Sequence, residues 1–369
     1  MLLGGCRSKV VRVGACRPVA PGHVCGPHSG TMTVAARTIF SALLIAGLTA
    51  PVVAADLPRK APVRPANVAD RCAKIEPPKG TPEVPGGDIF GFTNPTDIGD
   101  PCEWYFASEN TGLAGKRDGN FLALVSKSEV SCTYSENLAF AFSAFTSYHK
   151  WSNVTVLQDA LASAGAGVTV TEWDKLVFDG LSGEVLLRLV KRSPGQPFAL
   201  TLAMEPRWSR TDLGATGYPA EFYASEFKLF LDVALTERLF AAMNIIYVLA
   251  TQRYDIPGAN WVHTSGTAVS LALTGRIHAA EKALVEGVFL GVEGHLLSLF
   301  DGLALNQNIG NAFFAGPTLA IAFKGGRMLN FTWTPQIAGR AYPASAPGPF
   351  DLDNFERHQF RVKFDTPLK

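Results

Sequence analysis

Alternation with a period of two residues runs through most of this sequence after Pro101, in runs far longer than the usual strand of about five or six residues. Leu138, Phe140, Phe142, Ala144, Thr146 and Tyr148 share one parity, opposed by Ala139, Ala141, Ser143, Ser147 and His149. Leu200, Leu202, Met204 and Trp208 oppose Thr201, Ala203, Glu205, Arg207 and Ser209. Leu329, Phe331, Trp333 and Ile337 oppose Asn330, Thr332, Thr334 and Gln336, and His358, Phe360, Val362 and Phe364 oppose Arg357, Gln359, Arg361 and Lys363. Successive side chains of a strand point to opposite faces, so each run has one apolar and one polar face.

Turn residues divide these runs into twelve strands, near 102–113, 119–132, 137–150, 175–191, 197–210, 220–235, 238–253, 259–277, 282–298, 311–324, 327–342 and 353–366. Tight connections (133–136, 192–196, 236–237, 278–281, 325–326) alternate with a second set, mostly longer and richer in polar residues, Pro and Gly (151–174, 211–219, 299–310, 343–352). The connections 114–118 and 254–258 belong to that second set but are short. An even strand number with short turns at one end and longer loops at the other is the pattern of outer-membrane barrels. Lipid offers the backbone no hydrogen-bond partner, so an exported chain with no second apolar helix crosses only as a closed barrel. The expected fold is therefore all-β, an antiparallel up-and-down transmembrane β-barrel of about twelve strands. A soluble sandwich or barrel would carry its apolar parity inside, and strand length argues against it.

Three segments are expected. From Met32, read as the start, the chain runs MTVAARTIFSALLIAGLTAPVVAA, with Arg37 as n-region, Ile39 to Val53 as h-region and Val53-Ala54-Ala55 as a small-residue cleavage site. Residues 1–55 are thus read as an upstream extension plus secretory signal peptide. Residues 56–100 are rich in Pro and Gly and form a periplasmic segment or plug, and 101–369 form the barrel. The whole chain has 33 basic and 32 acidic residues. Removal of Arg7, Lys9, Arg12, Arg17 and Arg37, with no acidic residue beside them, brings the mature chain to −4. That balance gives no reason to expect nucleic acid as a partner.

The polar parity places Lys127, Glu129, Glu184, Arg188, Glu205, Arg207, Glu226, Lys228, Asp232, Arg276, Glu293, Arg357, Arg361 and Lys363 in the lumen. Charges of both signs there suit either an ion-paired filling or a constriction that selects small solutes. Trp104, Tyr148, Trp151, Trp208, Tyr223, Tyr247, Tyr254, Trp261 and Tyr342 lie near strand ends and are read as interfacial girdles. Export permits disulfides, and Cys102 and Cys132 would meet at the periplasmic ends of the first two strands, with Cys72–Cys102 as the rival pairing. Catalysis is not expected: His263 and Ser265 share a parity, but i, i+2 side chains stand about 7 Å apart and no third orienting group can be named. His295 beside Glu293 reads as a polar lining residue. No cofactor or metal is expected, since no phosphate loop, dinucleotide fingerprint or clustered His/Cys pattern occurs.

The mature start AADLPRKAP resembles that of many alphaproteobacterial outer-membrane proteins. The segments GFTNPTDIGD (91–100), FDGLSGEV (178–185), FALTLAMEPRWSR (198–210), GVEGHLLSLFDGLALN (291–306) and DLDNFERHQFRVKF (351–364) resemble poorly characterised, porin-like outer-membrane β-barrels of those Gram-negative bacteria. The resemblance spans most of 90–366. It implies location in the cell outer membrane, with outer-membrane lipid and the barrel-assembly machinery as partners, and no established activity. One departure is that such barrels usually end on an aromatic residue, whereas this chain continues past Phe364 with Asp-Thr-Pro-Leu-Lys. The expected function is a narrow porin-like channel or transporter for small solutes. The alternatives are a closed structural or adhesive envelope protein and a lipid-modifying enzyme.

Overall fold

A computed structural model describes residues 72, 88–164, 169–212, 216–279, 283–342 and 348–368. The start at Met32, the signal peptide and all of 56–87 except Cys72 lie outside the described residues. Twelve strands pair antiparallel, each with its sequence neighbours, and β1 closes on β12. They are β1 (Trp104–Ala114), β2 (Asn120–Ser135), β3 (Leu138–Ser152), β4 (Glu172–Val190), β5 (Phe198–Thr211), β6 (Pro219–Ala234), β7 (Leu239–Tyr254), β8 (Val262–Ala279), β9 (Val285–Asp301), β10 (Gln307–Phe323), β11 (Arg327–Ala341) and β12 (His358–Leu368). The all-β, up-and-down, twelve-stranded barrel expected from the alternation is the fold. Closure leaves no sheet edge unpaired.

The two parities separate outside from inside. Leu124, Phe142, Leu187, Met204, Phe227, Leu271, Val292, Phe331 and Val362 are exposed on the outer wall, whereas Ser143, Thr201, Asp232, Asn244, Glu293 and Asn330 on the other parity are buried. This inversion of an ordinary globular core accounts for an apolar fraction of 47% with only 18% charged residues.

The end of the barrel where β1 begins and β12 ends, here the proximal end, carries the tight turns. The longer connections lie at the distal end. One of them holds a helix absent from the sequence reading, α1 (Thr155–Ala164), within the connection between β3 and β4. Asp118 caps it by accepting the Thr155 N–H at 2.8 Å. Leu157 and Leu161, one turn apart, bury against Phe121, Trp151, Val154, Ala220, Tyr254 and Ile256. Trp151 and Tyr254 are therefore inward-facing residues rather than girdle aromatics. The Trp151 indole donates to the Thr216 carbonyl at 2.8 Å, and its parity is that of His149 and Ser147. Of the expected girdle residues, the exposed Trp104, Trp208, Tyr223, Trp261 and Tyr342 lie on the outer rims.

The disulfide joins Cys72 to Cys102, so the Cys102–Cys132 pairing is corrected. The register sets Cys132 opposite Trp104, on the outward parity of Leu122, Leu124 and Val130, and its thiol is free.

Candidate functional site: the occupied lumen

Residues 88–98 lie inside the proximal half of the barrel. Their apolar foot, Ile89 and Phe90, is fully buried among Ala234, Phe240, Ala242, Ala272, Phe289, Ala320 and Met328. Two inward carboxylates then hold the backbone. Glu293 of β9 accepts the N–H groups of Phe92 at 2.7 Å and Thr93 at 3.1 Å, as well as that of Gly91. Asp232 of β6 accepts from the Thr96 N–H at 2.8 Å and the Thr96 hydroxyl at 2.7 Å. Asn330 donates to the Phe90 carbonyl at 2.7 Å and Thr201 to the Thr96 carbonyl at 2.8 Å. The Phe92 ring lies 4.9 Å from that of His295 and beneath the Arg361 guanidinium at 4.2 Å. At Gly91 a Cβ would overlap the Thr332 side chain, so only glycine allows this approach to the wall.

Ion pairs tie the same segment to the barrel: Arg188 to Asp97 at 2.9 Å, and Lys363 to Asp88. Beside it the wall carries its own network. Lys228 meets Glu184 at 3.1 Å and Glu226 at 3.2 Å and also pairs with Glu205. Lys127 bridges Glu129 at 2.8 Å and Glu205 at 3.3 Å, and Arg361 pairs with Glu109 at 3.1 Å. Removing one member of such a buried network leaves an uncompensated charge, which typically costs about 3–5 kcal/mol. Between segment and wall lies a cavity of about 300 Å³, lined by the carboxylates of Asp88, Asp97, Glu109, Glu129, Glu184 and Asp365 and by Lys127, Lys228 and Lys363.

All but one of the residues assigned to the lumen by parity fall into three groups. Lys127, Glu129, Glu184, Glu205, Glu226, Lys228, Arg361 and Lys363 converge on the network and cavity, and Arg188, Asp232 and Glu293 hold the segment. Arg207 and Arg276 lie apart from these contacts. Arg207 stacks on Phe145 at 3.6 Å and pairs with Asp179 at 3.0 Å, while Arg276 faces the rings of Phe240 and Phe289 at 5.7 and 5.4 Å. Arg357 does not join them. It precedes β12 in the distal connection, stacked on Phe350 at 3.6 Å and donating to the Gln336 carbonyl. Beyond that set the structure adds Asp88, Thr96, Asp97, Glu109, Asp179 and Arg192, the last reaching Asp232 at 2.7 Å from a turn.

His295 shares its Nε2 with the Gln359 amide oxygen at 2.7 Å and stacks on Phe314 at 5.0 Å. The Ser265 hydroxyl donates to the Gly302 carbonyl at 2.7 Å and accepts the Leu305 N–H at 3.2 Å, with His263 exposed beside it. Among the described residues no cluster of metal-ligating side chains occurs.

A closed barrel that is apolar outside and charged inside is the architecture of transmembrane β-barrels. No helix among the described residues is long and apolar enough to cross a membrane. Within that class, the chain belongs to a family of unknown function (DUF6662), which it matches over residues 82–367. No curated protein matches it. Among solved structures it is similar to an outer-membrane channel of Pseudomonas putida F1, at 8% identity and a TM-score of 0.48, over 80% of this chain and 100% of that one. It is also similar to the NanC porin (10%, TM-score 0.39, 71% and 100%) and to the β domain of the Bordetella autotransporter BrkA (11%, TM-score 0.45, 72% and 100%).

Proposed function

We propose that this protein is an outer-membrane barrel, its proximal end in the periplasm, acting as a gated, narrow porin-like channel for small solutes. Residues 88–98 are its gate. The observation that carries this reading is the way Glu293 and Asp232 hold the backbone of that segment. Fixing the backbone costs roughly 1–2 kcal/mol per residue. Burying Ile89 and Phe90 returns only about 1.5–3 kcal/mol each. Apolar packing alone therefore leaves the segment undocked, and the carboxylate hydrogen bonds, roughly 1.5–3 kcal/mol each, decide the balance. A segment so held can be released by modest changes, as a gate requires. The surplus of carboxylates over lysines around the cavity favours small cationic solutes.

Single-channel recording in planar bilayers tests this, comparing the full chain with a variant lacking 88–98. Rare, brief openings in the full chain and sustained cation-selective conductance in the variant are expected. Silence of both, across salts, sugars and amino acids, would overturn the channel in favour of a closed structural barrel. Extraction from cells without detergent would overturn the membrane location itself.

A further inference from the structure

The gate segment sits between Cys72 and Cys102, which are thirty residues apart in sequence and joined by a disulfide. Both ends of the segment are thus returned to the start of β1: one by the chain itself through Pro101, the other by the bridge. The contacts deepest in the lumen belong to the half nearer Cys72, where Ile89 and Phe90 are fully buried and Phe92 and Thr93 bind Glu293. Without the bridge that half would be attached to β1 only through the rest of the segment and Pro101, at a distance from the contacts that dock it. Both cysteines are exposed, and exposed disulfides are typically the ones open to exchange.

We infer that the Cys72–Cys102 bridge is a thiol–disulfide exchange site whose cleavage by a dithiol reductant releases the gate segment. One thiolate of the reductant attacks a bridge sulfur, forming a mixed disulfide and expelling the other cysteine as a thiolate, which takes up a proton. The second thiol of the reductant then attacks the mixed disulfide. Two protein thiols and one reductant disulfide result, so two electrons and two protons pass to the protein. The bridge limits the conformations open to the undocked segment, and its loss favours undocking through loop entropy. For a ring of this size the upper bound is a few hundredfold. The direct attachment at β1 already restricts part of the segment, so about 10- to 100-fold is expected.

That this release opens a pore rests on the channel reading, but release itself is measured without it. Amide hydrogen exchange of residues 91–96 is followed in the full-length protein in detergent, oxidised and after dithiothreitol, with alkylation confirming two new thiols. Exchange should accelerate about 10- to 100-fold, and Cys72→Ser should reproduce this without reductant. A Cys132→Ser background excludes reshuffling onto the free thiol. Unchanged exchange after confirmed cleavage overturns the inference, even where bilayers show conductance. Accelerated exchange in a protein that never conducts, with or without 88–98, upholds the inference and overturns the channel.

Discussion

Glu293 concentrates at one residue what holds the lumen segment in place: its two oxygens take three consecutive backbone N–H groups and the Thr318 hydroxyl, the latter at 2.9 Å. Glu293→Gln keeps the shape, removes the charge and turns an amide donor toward groups that already donate. Hydrogen bonds to a charged acceptor contribute roughly 1.5–3 kcal/mol. Exchange at Gly91, Phe92 and Thr93 should therefore quicken about 10- to 100-fold, and unaltered exchange would remove Glu293 as the anchor. Asp212, in the distal connection after β5, responds to pH instead. Burial pushes its carboxyl up to about 6, against the pull of the Tyr254 and Thr216 donors. Because the folded value exceeds the unfolded one, near 3.8, the fold binds a proton in that window that the open chain does not. The penalty of the buried charge is thus present above pH 6 and relieved as pH falls toward 4. Protection of the Thr216 and Tyr218 amides, corrected for intrinsic exchange, should rise about tenfold from pH 7.5 to 5, and Asp212→Asn should flatten the profile.

Strands were legible because a pleated sheet has an unambiguous period, and the expected and observed boundaries mostly agree within a few residues. The elements that escaped are those where the period breaks. In β4 the register slips so that Phe145 faces Gly180 and Thr146 faces Phe178. The extra residue, Asp179, is turned inward to accept from Ser209, Thr211 and Arg207. Counting parity from Glu184 excludes Asp179, but the Asp-Gly pair inside a strand is a bulge signal that would have found it. Gly180 itself is required where the chain approaches the Trp208 carbonyl. The final strand starts at His358 rather than 353, which removes Arg357 from the wall. Residues 88–98 carry no period because they form no element, and their place is set by partners far away in the sequence, Arg188, Thr201, Asp232, Glu293 and Asn330 among them. Trp151 and Tyr254 were readable, since each shares the parity of inward neighbours. Helix α1 is a single amphipathic stretch in a connection, too short to stand on its own propensity. Its hold on the barrel is therefore Leu157 and Leu161. Leu161→Ala should lower the local stability of α1 by about 2–5 kcal/mol, read from exchange of its amides, while β3 and β4 stay protected. Equal loss of protection in the strands would mean that the helix and wall form one cooperative unit.

At the scale of the whole molecule, the outer wall and the lumen make opposite demands on water, and the wall is the sharper test of where the barrel sits. Leu271 is 59% and Ile277 65% exposed, both on the outward parity of β8. In water two residues of such similar exposure would tolerate arginine equally, within about 0.5 kcal/mol. In a bilayer they differ by depth. Leu271 lies near the middle of β8 and Ile277 close to its proximal end. Arginine at the bilayer midplane costs about 2–4 kcal/mol and near the interface about 0–1 kcal/mol. Reversible denaturant titration of the protein folded into phospholipid vesicles should therefore separate Leu271→Arg from Ile277→Arg by about 2–3 kcal/mol. Equal and negligible costs would place the belt in water. The measurement does not depend on whether the lumen conducts, because it reads only the outer face.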